Sequence, residues 1–256
     1  MLALGALVQA GACRTFESDS LAPPDAGADV FEVVDAVADG DVPDAPPRRV
    51  ILRGTAQAGP VDGNVPLALS LPPGTQPGDL LLLALFSSHT LAVPAFATDG
   101  GATQWVRRFS LNAECKPEAG PPAAGILTVH SRVVTSEEAS GFSVTFDSTN
   151  TGKDRATAIL SVWGGTDPTS PIDTEVFAGA PDLVAPELTT TLPNAHLTAF
   201  VASTTAAGAV WTAPAGMSTR ASTGMLVLFD EPLDGAGPTG PRAAQTTATD
   251  TCGAAA

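Results

Sequence analysis

The chain has 256 residues, 44% of them hydrophobic, with 12 Lys and Arg against 27 Asp and Glu and a net charge of −15. That length holds one large domain or two small ones, and so few cations argue against nucleic-acid binding, which needs clustered Lys and Arg to neutralise phosphate. The same charge repels anionic lipid headgroups, while Gly (25) and Pro (23) are too many for a helical protein and fit short strands joined by turns.

The first element is an apolar run from Met1 to Val8. It is too short to span a bilayer, has the length of a signal-peptide core and is followed by small residues. Ala10-Gly11-Ala12-Cys13 resembles a bacterial lipobox, in which small residues precede a cysteine that is lipidated and becomes the new N-terminus. It departs from that pattern at Ala10, where Leu is usual, and in having no Lys or Arg before the apolar run. A leader without its basic start is expected to begin upstream of Met1. The resemblance implies a lipid anchor on Cys13, export, and membrane attachment through two acyl signals. Arg14 stands where an Asp would imply inner-membrane retention, so outer-membrane placement is the expectation. The alternatives are an ordinary cleaved signal peptide and a buried N-terminal strand with a structural thiol.

Residues 14–48 form the second segment. Nine carboxylates lie between Glu17 and Asp44, with no Lys or Arg among them. Pro23-Pro24, Pro43 and Pro46-Pro47 block regular pairing, and like charges extend the chain. A disordered acidic linker is expected here, holding residues 1–13 apart from a folded domain over 49–256. Its acidic runs lack the D-x-D-x-D-G loop of a calcium site.

From Val50 the pattern changes to strands. Val50 to Arg53 begins one, and Val65, Leu67, Leu69 and Leu71 alternate onto one face of the next. Pro72 to Asp79 is a turn cluster. Leu80 to Phe86 is a continuous apolar run, predicted as a central strand buried on both faces. Ile126 to Val134, Phe142 to Phe146, Ala156 to Trp163, Glu187 to Leu192, Leu197 to Ser203 and Met225 to Phe229 continue the series. Turn signals separate them at Asp99-Gly100-Gly101, Gly164-Gly165, Asp167-Pro168, Pro193-Asn194 and Pro214-Ala215-Gly216. Without a long helical pattern, the spacing predicts an all-β, antiparallel β-sandwich of jelly-roll type, with two packed sheets.

Pro73 to Leu82, Trp105-Val106-Arg107-Arg108, Trp163 to Asp173, Trp211 to Met217 and Asp230-Glu231-Pro232 are turn and core pieces. In that order they resemble a recurrent β-sandwich domain of bacterial secreted and phage-tail-associated proteins, over roughly residues 50 to 245. The resemblance implies a fold and carries no catalytic role. It also implies a final apolar strand after the Gly-Pro-rich loop. Thr251 to Ala256 stands there instead, so either that strand is missing or Cys252 pins a frayed terminus.

With Cys13 lipidated, Cys115 and Cys252 remain. In an oxidising compartment they are expected to form a disulfide, worth up to about 5 kcal/mol for so long a loop; two free thiols are the alternative. No CxxC or CxH spacing suggests a metal site. Gly235 to Gly240 matches GxGxxG, but Pro238 and Pro241 forbid the helix that a dinucleotide needs, so it reads as a loop. His89, His130 and His196 form no helix-spaced pair and read as strand or solvated histidines. Glu137 and Glu138 would point to opposite faces of a strand. A hydrolase would need carboxylates brought together from distant loops, such as Asp99 and Asp173.

Asp167 and Asp173 bracket a Pro-rich turn and either bind calcium or cap turn amides. Trp105, Trp163 and Trp211 each adjoin a turn, where they either pack or contact a ligand; the absence of Tyr argues against a broad aromatic binding face. No other cofactor is implied. The expected function is a surface-tethered, non-enzymatic β-sandwich lipoprotein with a structural or interaction role at the cell envelope. The alternatives are an extracellular polysaccharide- or glycan-binding module and, third, a hydrolase.

Overall fold

In a computed structural model the chain is built from antiparallel strands. The structure describes residues 49–62, 65–88, 94–97, 105–113, 125–135, 141–146, 155–179, 183–204, 209–247 and 253–256, with the backbone alone at 94–97 and 141–146. These fall in one unit, Pro46–Ala256. Among the described residues there is no helix, and there are nineteen strands.

The first eight are the longer ones: β1 (Ile51–Asp62), β2 (Leu67–Ser70), β3 (Leu80–Ser88), β4 (Pro94–Ala97), β5 (Val106–Ala113), β6 (Gly125–Val133), β7 (Gly141–Phe146) and β8 (Arg155–Gly164). Shorter pieces follow as β9 (Ala178–Gly179), β10 (Val184–Ala185) and β11 (Thr189–Thr190). The second half then adds β12 (His196–Ser203), β13 (Trp211–Thr212), β14 (Ser218–Ser222) and β15 (Leu226–Pro232). It ends with β16 (Gly237–Pro238), β17 (Arg242–Ala243), β18 (Gln245–Thr246) and β19 (Gly253–Ala255).

Two five-stranded sheets form the sandwich, in the orders β1-β8-β3-β6-β5 and β14-β15-β12-β19-β9. β3 sits at the centre of the first, paired with β8 and β6, with Leu80 opposite both Trp163 and Val133. Its period of two sends Leu81, Leu83 and Leu85 to one face and Ala84 and Phe86 to the other. The second face meets the second sheet: Phe86, Leu127 and Ile159 pack with Phe200, Leu226 and Leu228. Each fully buried side chain of this size contributes roughly 1.5–3 kcal/mol.

The first face is also covered, which goes beyond two packed sheets. The three-stranded sheet β2-β7-β4 lies there, and its Leu67 and Leu69 pack on Leu81, Leu83, Leu160 and Val162. Val65, expected on the same face as Leu67, is 44% exposed instead, because the strand begins only at Leu67. The far face of the second sheet is covered in turn by the small ribbons β10-β17 and β13-β18, through Leu183, Ala185, Trp211 and Ala244. The first sheet is therefore buried on both sides, and a near-continuous apolar run in β3 and β8 is what such a position demands.

The Pro72 to Asp79 turn cluster is held by the buried Asp79. Its carboxylate accepts from the Gln76 amide at 2.7 Å and meets Arg53 of β1 at 2.6 Å. Where the sequence led to a missing strand or a frayed end, a short strand forms instead: β19 inserts between β12 and β9, with Ala254 and Ala255 fully buried. Gly237 and Pro238, inside the run read as a loop, form β16 against β11, and no helix follows them.

Candidate functional site

The two large sheets part at one end of their interface. β3 begins at Leu80 and β8 ends at Gly164 there, and residues 165–177 cross between the sheets. Gly165 makes the exit turn at φ +78°; a Cβ there would collide with the Arg49 carbonyl. The result is a cleft of about 340 Å³. Leu80, Leu82, Phe109, Val129 and Trp163 line it from the first sheet, and His196, Thr198 and Phe200 from the second.

Strand register places the polar groups. Thr198 of β12 faces Asp230 of β15, so Asp230 shares the inner face with Phe200 and Leu228. The Asp230 side chain is fully buried. Arg220 Nε, reaching over from β14, donates to its Oδ1 at 2.5 Å. His196 Nδ1 lies 3.5 Å from its Oδ2, long for a hydrogen bond, so Arg220 is the principal partner. Burial alone would raise the Asp230 carboxyl; its contacts with His196 and Arg220 and their charges outweigh that and hold it below the usual carboxylate range. The His196 ring in turn stands 5.1 Å from the Trp163 ring, tilted by 53°.

The remaining charges lining the cleft are already engaged. Arg108 pairs with Glu175 at 3.0 Å, and Arg242 pairs with Glu231 at 2.8 Å. Asp167 accepts from the Thr169 amide at 2.8 Å and from its hydroxyl at 2.7 Å. Asp173 accepts from the Thr191 amide at 2.6 Å and from the Thr191 hydroxyl. Those bonds hold the Asp173 carboxyl below its usual range. Asp167 thus caps an amide of its own turn, whereas Asp173 reaches Thr191, 18 residues further along the chain. Among the described residues no group of three or more His, Cys, Asp and Glu is arranged to hold a metal ion.

The three tryptophans do not converge. Trp163 is 2% exposed, and its indole N–H donates to Ser161 Oγ at 2.9 Å. Trp211 is 8% exposed, and its N–H donates to the Gly224 carbonyl at 3.0 Å on the far side of the second sheet. Trp105 is half-buried against the core shared with β2, with the Arg132 guanidinium 4.8 Å above its ring. Trp163 is the one that lines the cleft.

His130 sits in the middle of β6, buried, with Nε2 3.2 Å from Thr128 Oγ1. Burial, and then the charge of Arg107, push its pKa down to about 4, so it is a neutral strand histidine. Cys13, Cys115, Cys252, His89, Asp99, Glu137 and Glu138 lie outside the described residues.

Sequence reasoning did not bring His196 and Asp230 together. They are 34 residues apart, and only the β12–β15 register joins them. One signal was present: Asp230 directly follows the apolar run Met225 to Phe229, where a carboxylate continuing a buried strand needs a cation. No known protein family, curated protein or solved structure matches this chain.

Proposed function

We propose that this is an exported, lipid-tethered protein whose β-sandwich acts through structure or interaction at the cell envelope, without catalysis. The observation that carries this reading is the use made of the tryptophans. Trp163 and Trp211 are buried, and each indole N–H is bonded within the chain. Side chains so committed support packing over an aromatic sugar-stacking platform. Asp167 and Asp173 are likewise occupied with turn amides and hydroxyls, which supports a scaffolding use.

The tether follows from the lipobox-like Ala10 to Cys13, and the acidic run after it supplies reach. Replacing Cys13 by Ser tests it. Loss of membrane fractionation and of the acyl mass is the expected result; an unchanged mass and fraction refute the tether.

A glycan-binding reading is favoured by one observation, the place of Trp163 in the cleft wall. A glycan array with the full chain and its Trp163→Ala and Trp211→Ala variants separates the two. The packing reading expects no saturable glycan signal and a stability loss of roughly 3–5 kcal/mol for each variant. Saturable binding that vanishes in Trp163→Ala, with its thermal midpoint intact, would overturn it.

A further inference from the structure

We propose that the cleft between the sheets binds a small, uncharged aliphatic molecule with a single hydrogen-bonding group, and that the Thr166 hydroxyl receives that group. This goes beyond a structural role and depends neither on the tether nor on Trp163.

Size and surface come first. A volume of about 340 Å³ falls within the range of small-molecule sites. At the roughly 30 Å³ that one water takes in the liquid, it holds a body of about ten heavy atoms. The part of its wall that reaches solvent is apolar. Leu82, Phe109, Pro171, Ile172 and Val176 are half-buried, and Leu192 is 56% exposed. All but Phe109 are aliphatic, and Phe109 is already stacked on Phe177 at 5.5 Å. An aliphatic body matches this wall, and covering the wall removes apolar surface from water. The floor beneath, Trp163 and Phe200 included, is buried and has no part in the contact.

The polar group is assigned by Thr166. It lines the cleft directly after the Gly165 turn and is 8% exposed. Its Oγ1 is enclosed and has no hydrogen-bond partner among the described residues. A folded chain seldom leaves a buried hydroxyl unpaired, and the cost of doing so is recovered when a ligand pairs it. A threonine hydroxyl both donates and accepts, so an alcohol and a primary amide both fit it.

Charge is disfavoured at the same place. A hydroxyl is no counter-ion, so a carboxylate or ammonium brought to Thr166 would be desolvated without one. The cations lining the cleft are held already, Arg108 by Glu175 and Arg242 by Glu231. Asp167 and Asp173, the exposed carboxylates, are held by Thr169 and Thr191.

The test titrates the full chain with hexanol, octanol, octanoate and octylammonium, following heat by calorimetry and backbone amides by NMR. Octanol is expected to bind saturably at one site, with shifts centred on Thr166, Leu82 and Leu192. Affinity should rise about fourfold for each methylene from hexanol to octanol, and both ions should bind at least about tenfold more weakly than octanol. Thr166→Val should bind octanol about fivefold more weakly, with no loss of thermal midpoint, and Thr166→Ser should keep the affinity. On the unaltered chain, the proposal is overturned by no saturable octanol binding, by shifts that lie away from the cleft, by an affinity that does not rise from hexanol to octanol, or by either ion binding as tightly as octanol. These results decide even where a variant fails to fold. With both variants folded, it is also overturned if Thr166→Val and Thr166→Ser bind octanol alike.

Discussion

Asp230 is the residue on which the inner face of the second sheet depends. Its buried carboxylate joins three strands: its own β15, β14 through Arg220, and β12 through His196. Asp230→Asn leaves Arg220 facing a neutral amide and should cost about 3 kcal/mol at neutral pH, read by chemical denaturation. The pH dependence has a defined sign. The folded carboxyl lies below its ordinary 3.8, so the stabilisation is complete above that value and is lost as pH falls through the lower folded pKa. Asp230→Asn should therefore flatten the acid limb below about pH 4. His130 acts in the adjoining window. Its pKa falls from 6.5 unfolded to about 4 folded, so between those values the unfolded chain binds the extra proton. Stability should drop as pH falls from 6.5 towards 4, and His130→Gln should remove that slope. Denaturation curves across both windows separate the two groups; a slope that persists in His130→Gln would assign it elsewhere.

At the scale of elements, β19 shows how little strand is needed when its position is central. Gly253–Ala255 fills the place between β12 and β9, and Phe200 and Ala256 exchange both backbone hydrogen bonds. Small side chains suit a strand enclosed on both faces, where Ala254 joins one core and Ala255 the next. Deleting residues 253–256 leaves buried carbonyls and amides of β12 without partners. The thermal midpoint should fall by several degrees at the least; an unchanged midpoint would mean that β19 contributes nothing. The same comparison marks what was readable in the sequence. β3, β6, β8 and β12 carry long apolar runs and match the predicted strands to within two residues, whereas β15 runs three residues beyond the predicted end at Phe229. β5 was missed because Val106-Arg107-Arg108 is polar on an edge strand, with a bulge between Arg107 and Phe109 that breaks the alternation. β14 was missed for the same reason, Ser218 to Ser222 being a polar edge with its own bulge. The two-residue ribbons leave no period to detect. The cleft was legible only in fragments: Trp163, Asp167 and Asp173 stood out by residue type, but the His196–Asp230 pairing is a fact of register, which no local pattern contains.

For the molecule as a whole, the alternation in β3 couples the layers. Leu83 belongs to the core shared with β2, while Phe86 belongs to the core shared with the second sheet, and both hang on one strand. The ribbons then rest on the second sheet through Val227 and Phe229, whose neighbour Leu228 points the other way into the sandwich. No layer can therefore separate without stripping a face from β3 or β15. Leu83→Ala and Leu228→Ala should each cost about 2–5 kcal/mol, since both side chains are fully buried and each change opens a cavity in a different core. Lying in different cores, the two losses should add. The layered architecture makes a sharper demand on the transition itself. If β3 couples the cores, either variant lowers one cooperative transition, seen at the same midpoint by Trp fluorescence and by amide exchange in both large sheets. Two separated midpoints in Leu83→Ala, with the β2 layer melting first, would show that the outer sheet is an independent unit laid on a self-sufficient sandwich.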